Sequence, residues 1–203
     1  TICDFSPTLL RDPRASQLKL DFSGDILKTE VRNQIVQQTQ LFDLITADGA
    51  IDNDSQPELS ESSTALIVAC EIETALRTQQ EGGCFIVKVF SIALPVTKQL
   101  VAILTHAYKT VSVVKPFTSR SVNDERYIVC QGFERENAPS FLVPPNPDAS
   151  KFLSHVATVD EDWFKDIDLI SDYMAANQKS AIQAALSSTS AGEMSKARGC
   201  RFE

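Results

Sequence analysis

Basic residues are short in this sequence: 19 lysines and arginines stand against 27 aspartates and glutamates, a formal net charge of -8. That balance excludes a general nucleic-acid coat, which is normally basic, and leaves room only for a local cationic site. Histidine is nearly missing. His106 and His155 are the only two, too few and too isolated to argue for zinc, so no metal is expected. The five cysteines (Cys3, Cys70, Cys84, Cys130 and Cys200) are odd in number, and no two form a Cys-x-x-Cys pair. Cys70, Cys84 and Cys130 fall inside apolar segments, the pattern of buried free thiols in a reducing compartment. Glycine is also scarce, with seven in the chain and none before Gly24. No apolar run approaches a membrane span, because Lys88 interrupts the strongest one. A basic stretch followed by an apolar one is absent from the start of the chain, so no secretory signal is expected. The chain opens on Thr1 rather than methionine, as a piece or processed product of something longer would.

What remains is an ordinary globular composition: 203 residues, 43% hydrophobic and 23% charged, enough for one domain with a substantial core. From residue 41 onward strand-like and helix-like patterns alternate. Residues 42–47 form a short apolar run that stops at Asp48-Gly49, as a buried strand does. Residues 58–78 carry Leu66, Ala69, Cys70, Ile72, Ala75 and Leu76 at helical spacing, and Gly82-Gly83 is the expected stop. A second strand is predicted over 84–90. Pro95 suits the first turn of a helix running to about Tyr108, and further strands are predicted over 111–114 and 126–133.

This alternation predicts an α/β fold with a mostly parallel sheet and helices on both faces. The connection from Val114 to Arg126 is too short for a crossover helix, so the last strand is expected to run antiparallel. Residues 1–133 are expected to make up the greater part of one domain. Residues 134–158, with Pro139, Pro144, Pro145 and Pro147, are expected to form a linker or wrapping loop. Residues 159–187 predict a docking helix with an apolar stripe of Trp163, Phe164, Ile167, Ile170 and Met174, followed by a frayed tail over 188–203.

An antiparallel last strand has a chemical consequence. Ligands of open α/β sheets bind beyond the carboxyl ends of the parallel strands, and an antiparallel strand brings its amino end to that edge. Asp48, Lys88 and Glu125 then meet there. A lysine within Phe-Ile-Val-Lys-Val-Phe must reach the sheet edge or be buried with partners. Neighbouring carboxylates favour its charged form and burial favours its neutral form, a balance suited to taking a proton from a hydroxyl. Each residue also has a plainer explanation: a structural ion pair for Lys88, a common Asp-Gly turn for Asp48, a solvated loop acid for Glu125. Convergence on one edge is what argues for a site.

Four motifs lie in order: Ala47-Asp48-Gly49; Gly82-Gly83-Cys84-Phe85-Ile86-Val87-Lys88-Val89-Phe90; Lys115-Pro116-Phe117-Thr118-Ser119-Arg120; and Asn123-Asp124-Glu125-Arg126-Tyr127-Ile128-Val129-Cys130. In order and spacing they resemble the second half of the FtsJ-like (RrmJ-type) RNA ribose 2′-O-methyltransferases. The pattern is most similar to that of the cellular cap-specific mRNA (nucleoside-2′-O-)methyltransferases, and the segment 168–177 adds a weaker likeness.

The resemblance implies a Rossmann-like methyltransferase sheet, S-adenosylmethionine as methyl donor, a 5′-capped RNA as substrate and a nuclear location. It implies that Asp48, Lys88 and Glu125 are the last three members of a Lys-Asp-Lys-Glu tetrad. Lys88 would be the general base on the 2′-hydroxyl, Asp48 would position that lysine and itself lie beside the donor as a cofactor contact, and Glu125 would hold the lysine's orientation and charge. Gly24-Asp25-Ile26 resembles the family's segment that meets the donor's adenine, which makes Asp25 a cofactor candidate. Lys115, Ser119, Arg120 and Asn123 become RNA contacts; a solvated basic loop, with Ser119 and Asn123 capping its turn, is the alternative. The family's first lysine and glycine-rich donor loop have no counterpart here, and residues 1–22 contain no glycine to form such a loop. The rest of a longer polypeptide, or a partner chain, is therefore expected to supply them. The alternatives are a non-catalytic RNA- or protein-binding module on the same fold and a ribosomal-RNA 2′-O-methyltransferase.

Overall fold

The structure, a computed structural model, describes residues 24–38, 40–49, 51, 60–144 and 161–189. Cys3, Cys200, His155, Pro145, Pro147 and the tail from residue 190 lie outside the described residues, as do the side chains of Trp163 and Phe164.

Among the described residues four helices and four strands follow one another: α1 (Thr29–Gln38), β1 (Phe42–Ala47), α2 (Ser60–Thr78), β2 (Gln79–Phe90), α3 (Pro95–Ala107), β3 (Tyr108–Val114), β4 (Glu125–Phe133) and α4 (Glu161–Thr189). The sheet order is β1-β2-β4-β3. β1 pairs with β2 in parallel, and β4 is antiparallel to both β2 and β3. Three strands thus share one direction, and the last opposes them, as its short connection requires. Because β4 is inserted between β2 and β3, only one of the three neighbouring pairings is parallel.

Two element boundaries differ from expectation. Gly82-Gly83 does not end α2. The helix stops at Thr78, whose hydroxyl bonds back to Thr74 O, and the chain passes directly into β2. Pairing begins early because the buried Gln79 side chain donates to Phe42 O at 2.7 Å and accepts from the Tyr108 hydroxyl at 3.2 Å. The glycines serve an irregularity within the strand instead: Gly82 takes φ +74°, and a Cβ on Gly83 would sit 2.9 Å from Asp43 O. In the same way β3 begins at Tyr108 rather than 111, as soon as α3 ends.

Residues alternate across the sheet. Phe85, Val87 and Val89 of β2, with Ile128 and Cys130 of β4, pack against Val68, Ile72, Leu100 and Leu104 of α2 and α3 in one buried cluster. Each such side chain contributes on the order of 1.5–3 kcal/mol by leaving water. The opposite face is more open. Leu44 is 59% exposed, Thr46, Thr110 and Ser112 are exposed, and Cys84, Ile86 and Val129 are half-buried. Of the helical cover predicted for both faces, the described residues show α1, α2 and α3 gathered on one.

The segment before α1 is fastened by a fully buried arginine. Arg32 donates to Ile26 O (2.9 Å), Leu27 O (2.8 Å) and Val143 O (3.1 Å), and its Nε lies 2.9 Å from Glu73 Oε2. Residues 141–144 of the expected wrapping loop are thereby tied to α2. Ile167 of α4 is 5% exposed and joins the core, Met174 packs against it, and Lys98 pairs with Asp168. Ile170 of the expected stripe is 40% exposed. Among the described residues no helix is long and apolar enough to cross a membrane.

Candidate active site

The parallel pairing of β1 and β2 brings their carboxyl ends to one edge of the sheet, and the start of β4 joins them. Lys88, near the end of β2, points to the open face together with its register partner Tyr127. Its Nζ lies 2.6 Å from Asp48 Oδ1, donates to Asp48 O at 3.2 Å, and stands 5.6 Å from the centre of the Phe90 ring. The lysine side chain is 10% exposed and that of Asp48 is 71% exposed. A nearly buried ammonium is thus met by a carboxylate open to solvent, at a place a substrate can reach.

Asp48-Gly49 is more than a turn. Gly49 N–H donates to Glu71 Oε1 at 2.8 Å, and a Cβ on Gly49 would lie 2.5 Å from that oxygen. Only glycine lets the backbone pass this close. At the end of β2, Ser91 adopts φ 69°, a strained conformation for a residue with a side chain, and its N–H is held by Asp124 O at 3.2 Å.

Glu125 stands on the same sheet face as Lys88 but two cross-strand pairs further along, opposite Phe90. Among the described residues no hydrogen bond or ion pair joins it to Lys88, so the direct hold expected of Glu125 is absent. Its Oε1 accepts instead from Ser119 Oγ at 3.0 Å. Between Asp48 and Glu125 sits Tyr127, whose phenol is pushed up by burial first and then by those two charges.

The loop between β3 and β4 is held from within. Lys115 Nζ donates to Ser119 Oγ (2.9 Å), Asn123 O (3.1 Å) and Glu125 O (2.9 Å), and also meets Asn123 Oδ1. Burial, then the Arg126 charge, lowers the Lys115 ammonium from its usual value. The buried Arg126 donates to Asn123 O and Glu125 O from the other side. Three of the four expected RNA contacts, Lys115, Ser119 and Asn123, are therefore engaged with one another. Arg120 is exposed, and Phe117 is 99% exposed beside it.

Asp25 lies in the turn before α1. Gly24 takes φ 75°, Asp25 Oδ1 accepts Leu27 N–H at 3.1 Å, and Arg32 holds the two following carbonyls. The turn is rigid and presents a carboxylate.

Two residues at this edge were missed by sequence reasoning. Tyr127 is one, hidden because a tyrosine in a strand needs no explanation. The other is Glu71. It shares a buried stripe with Thr64, Ile67, Val68 and Ala75 at helical spacing, and an acid on such a stripe is a signal that sequence alone offers. Burial pushes its carboxyl up to about 7, against the opposing effects of the Gly49 hydrogen bond and the Lys88 charge, with Asp48 adding to the rise. The thiols of Cys70 and Cys130 are pushed up to about 12 by burial, so they stay protonated near neutrality.

Comparison with known proteins identifies the family of the chain. The FtsJ-like methyltransferase family matches residues 3–133, more than half of the chain. Cap-specific mRNA (nucleoside-2′-O-)-methyltransferase 1 of Dictyostelium discoideum is 37% identical over 120 residues, covering 56% of this chain and 16% of that protein. The proteins of the same name from Trypanosoma brucei brucei and Danio rerio are 36% and 34% identical over 117 and 121 residues. Those matches cover 56% and 57% of this chain and 32% and 15% of the two relatives, so the chain spans less than a third of each. On the extent of the family match, the chain belongs to the FtsJ-like methyltransferases.

Proposed function

We propose that this chain serves in S-adenosylmethionine-dependent 2′-O-methylation of a ribose near the 5′ cap of mRNA, with Lys88 as general base. The observation that carries the proposal is the Lys88–Asp48 pair, a nearly buried amine and an exposed carboxylate 2.6 Å apart at the carboxyl edge of parallel strands. Donor chemistry suits these residues. Asp48 offers an exposed carboxylate to a cationic donor, and the Asp25 turn offers an acceptor for an adenine amino group. When bound, S-adenosylmethionine supplies a methyl group on a sulfonium centre.

Lys88 Nζ, once its ammonium has released a proton to solvent, would accept the proton of a ribose 2′-hydroxyl held beside it, and positioning of that hydroxyl would supply much of the rate. Asp48 holds Nζ in place through its carboxylate and its backbone oxygen. Lys115, Ser119 and Asn123 fix the loop that carries Arg120, and Arg120 meets an RNA phosphate. Glu125 acts on that loop and on Tyr127 rather than on Lys88. The remaining lysine of the tetrad and the glycine-rich loop would come from further polypeptide, and action on capped mRNA would place the protein in the nucleus.

A second reading, a non-catalytic binding module, draws on the Glu125 carboxylate being turned to Ser119. Transfer of labelled methyl to capped RNA by the natural polypeptide that carries this chain decides between them. Wild-type activity that falls at least about a hundredfold in Lys88→Ala supports the base. A folded wild type with no transfer leaves the binding module, and better transfer to uncapped ribosomal RNA overturns the cap assignment.

A further inference from the structure

Glu71 stands behind the Lys88–Asp48 pair and has no part in the chemistry above. It lies in the middle of α2 and is 7% exposed. Its Oε1 accepts Gly49 N–H at 2.8 Å, and its Oε2 is buried without a hydrogen-bond partner among the described residues. Gly49 N–H and Asp48 C=O belong to one peptide group, which is planar and points its N–H and C=O in opposite directions. Glu71 grips that plane by the N–H, and Lys88 Nζ grips it by the oxygen at 3.2 Å. Ile67 Cγ2 would be 2.6 Å from a Cβ on Gly49, so the plane is held by packing as well.

A carboxylate on the N–H end also polarises the peptide and makes its oxygen a better acceptor. The residue is costly where it stands, since a buried carboxyl with an unpaired oxygen disfavours the folded state. A leucine would pack there without that penalty, so the carboxyl needs a reason beyond packing.

We propose that Glu71 is a positioning residue for the methyl transfer proposed above: by fixing the 48–49 peptide plane it sets where the Asp48 carbonyl and carboxylate hold Lys88 Nζ. The inference rests on that reading for its catalytic consequence, though the positioning itself is measurable without turnover. Among the described residues the charged groups facing Glu71 are Lys88 from β2 and Asp48 from the end of β1. On its own helix the neighbouring Cys70 is a neutral thiol near neutral pH.

The test uses Glu71→Ala, Glu71→Gln and Glu71→Asp in the natural polypeptide, with single-turnover methyl transfer, S-adenosylmethionine affinity, melting temperature and the Lys88 ammonium 15N signal. Glutamine keeps an oxygen for Gly49 N–H, so its rate stays within about threefold, while alanine loses on the order of a hundredfold with donor affinity little changed. Aspartate keeps the charge but falls one carbon short, and behaves like alanine; it decides the matter if alanine does not fold. In alanine and aspartate the Lys88 ammonium protons exchange faster than in wild type. Between about pH 6 and about pH 8 the wild-type rate shows a step that glutamine lacks. A wild-type rate per folded molecule in alanine or aspartate, with an unchanged Lys88 signal, overturns the inference. A wild type that transfers no methyl defeats the function proposed above instead, and the Lys88 signal then decides the positioning alone.

Discussion

At the scale of single residues, the partners a buried group finds, rather than its residue type, set the chemistry. Glu71 and Glu73 sit two residues apart on the same helix, yet Glu73 has Arg32, Arg77 and Val143 N–H around it and Glu71 has one backbone donor. The difference has a consequence for stability. The Glu71 carboxyl moves from an ordinary 4.5 to about 7 in the folded protein. Between those values the folded state keeps a proton that the unfolded chain has lost, so stability falls as pH rises through the window and levels off above it. The total is about 3 kcal/mol at most. Glutamine cannot titrate. The stability of Glu71→Gln relative to wild type should therefore improve by up to that amount from about pH 4.5 to about pH 7. Urea unfolding of both proteins at the two ends measures it, and a difference that does not change with pH counts against the assignment.

At the scale of elements, the loop between β3 and β4 shows how a short segment gains order without regular structure. Lys115 gathers acceptors from Ser119, Asn123 and Glu125, and Arg126 takes two of the same carbonyls from the core side. Its charges then divide into internal and external ones. Arg120 is exposed, so Arg120→Ala should weaken RNA binding across all sequences and reduce the salt slope by about one contact, leaving the fold intact. Lys115→Met removes the internal hub. It should weaken RNA binding as well, but with a loss of loop order visible as faster amide exchange at Ser119 and Asn123. If the two variants are alike in both respects, the division between scaffold and contact is wrong.

For the molecule as a whole, α4 decides how far the unit extends beyond its sheet. It is fastened by Ile167 in the core, by the Lys98–Asp168 pair and by Gln178 donating to Val122 O at 3.2 Å, which places it against the loop just described. Leu169 and Tyr173 are about 70% exposed. Ile167→Ala should cost about 2–4 kcal/mol, whereas Leu169→Ala should stay within about 0.5 kcal/mol. Denaturant unfolding distinguishes the two; equal and small effects would mean that α4 is not docked through Ile167. The ion pair is half exposed and adds little by comparison.

Much of this architecture was legible in the amino-acid order. The spacing of apolar residues marks α2 and α3, the run 42–47 marks β1, and the length of the connection from Val114 to Arg126 makes β4 antiparallel. Those signals are local, because periodicity and loop reach depend on nothing distant. The meeting of Asp48 and Lys88 was also legible, since topology alone brings the carboxyl ends of parallel strands to one edge. The start of β2 was not, because Gln79 is drawn into the sheet by carbonyls of β1 and by Tyr108, which are distant in sequence. The partners of Glu125 and Lys115 were settled by register: an offset of two cross-strand pairs places Glu125 opposite Phe90 and beside Ser119 instead of against Lys88. Glu71 shows the same limit most clearly. Sequence determines that an acid lies on a buried helical stripe, but only the close passage of Gly49 over that stripe gives the acid a partner, because desolvation and hydrogen bonding act through space and not along the chain.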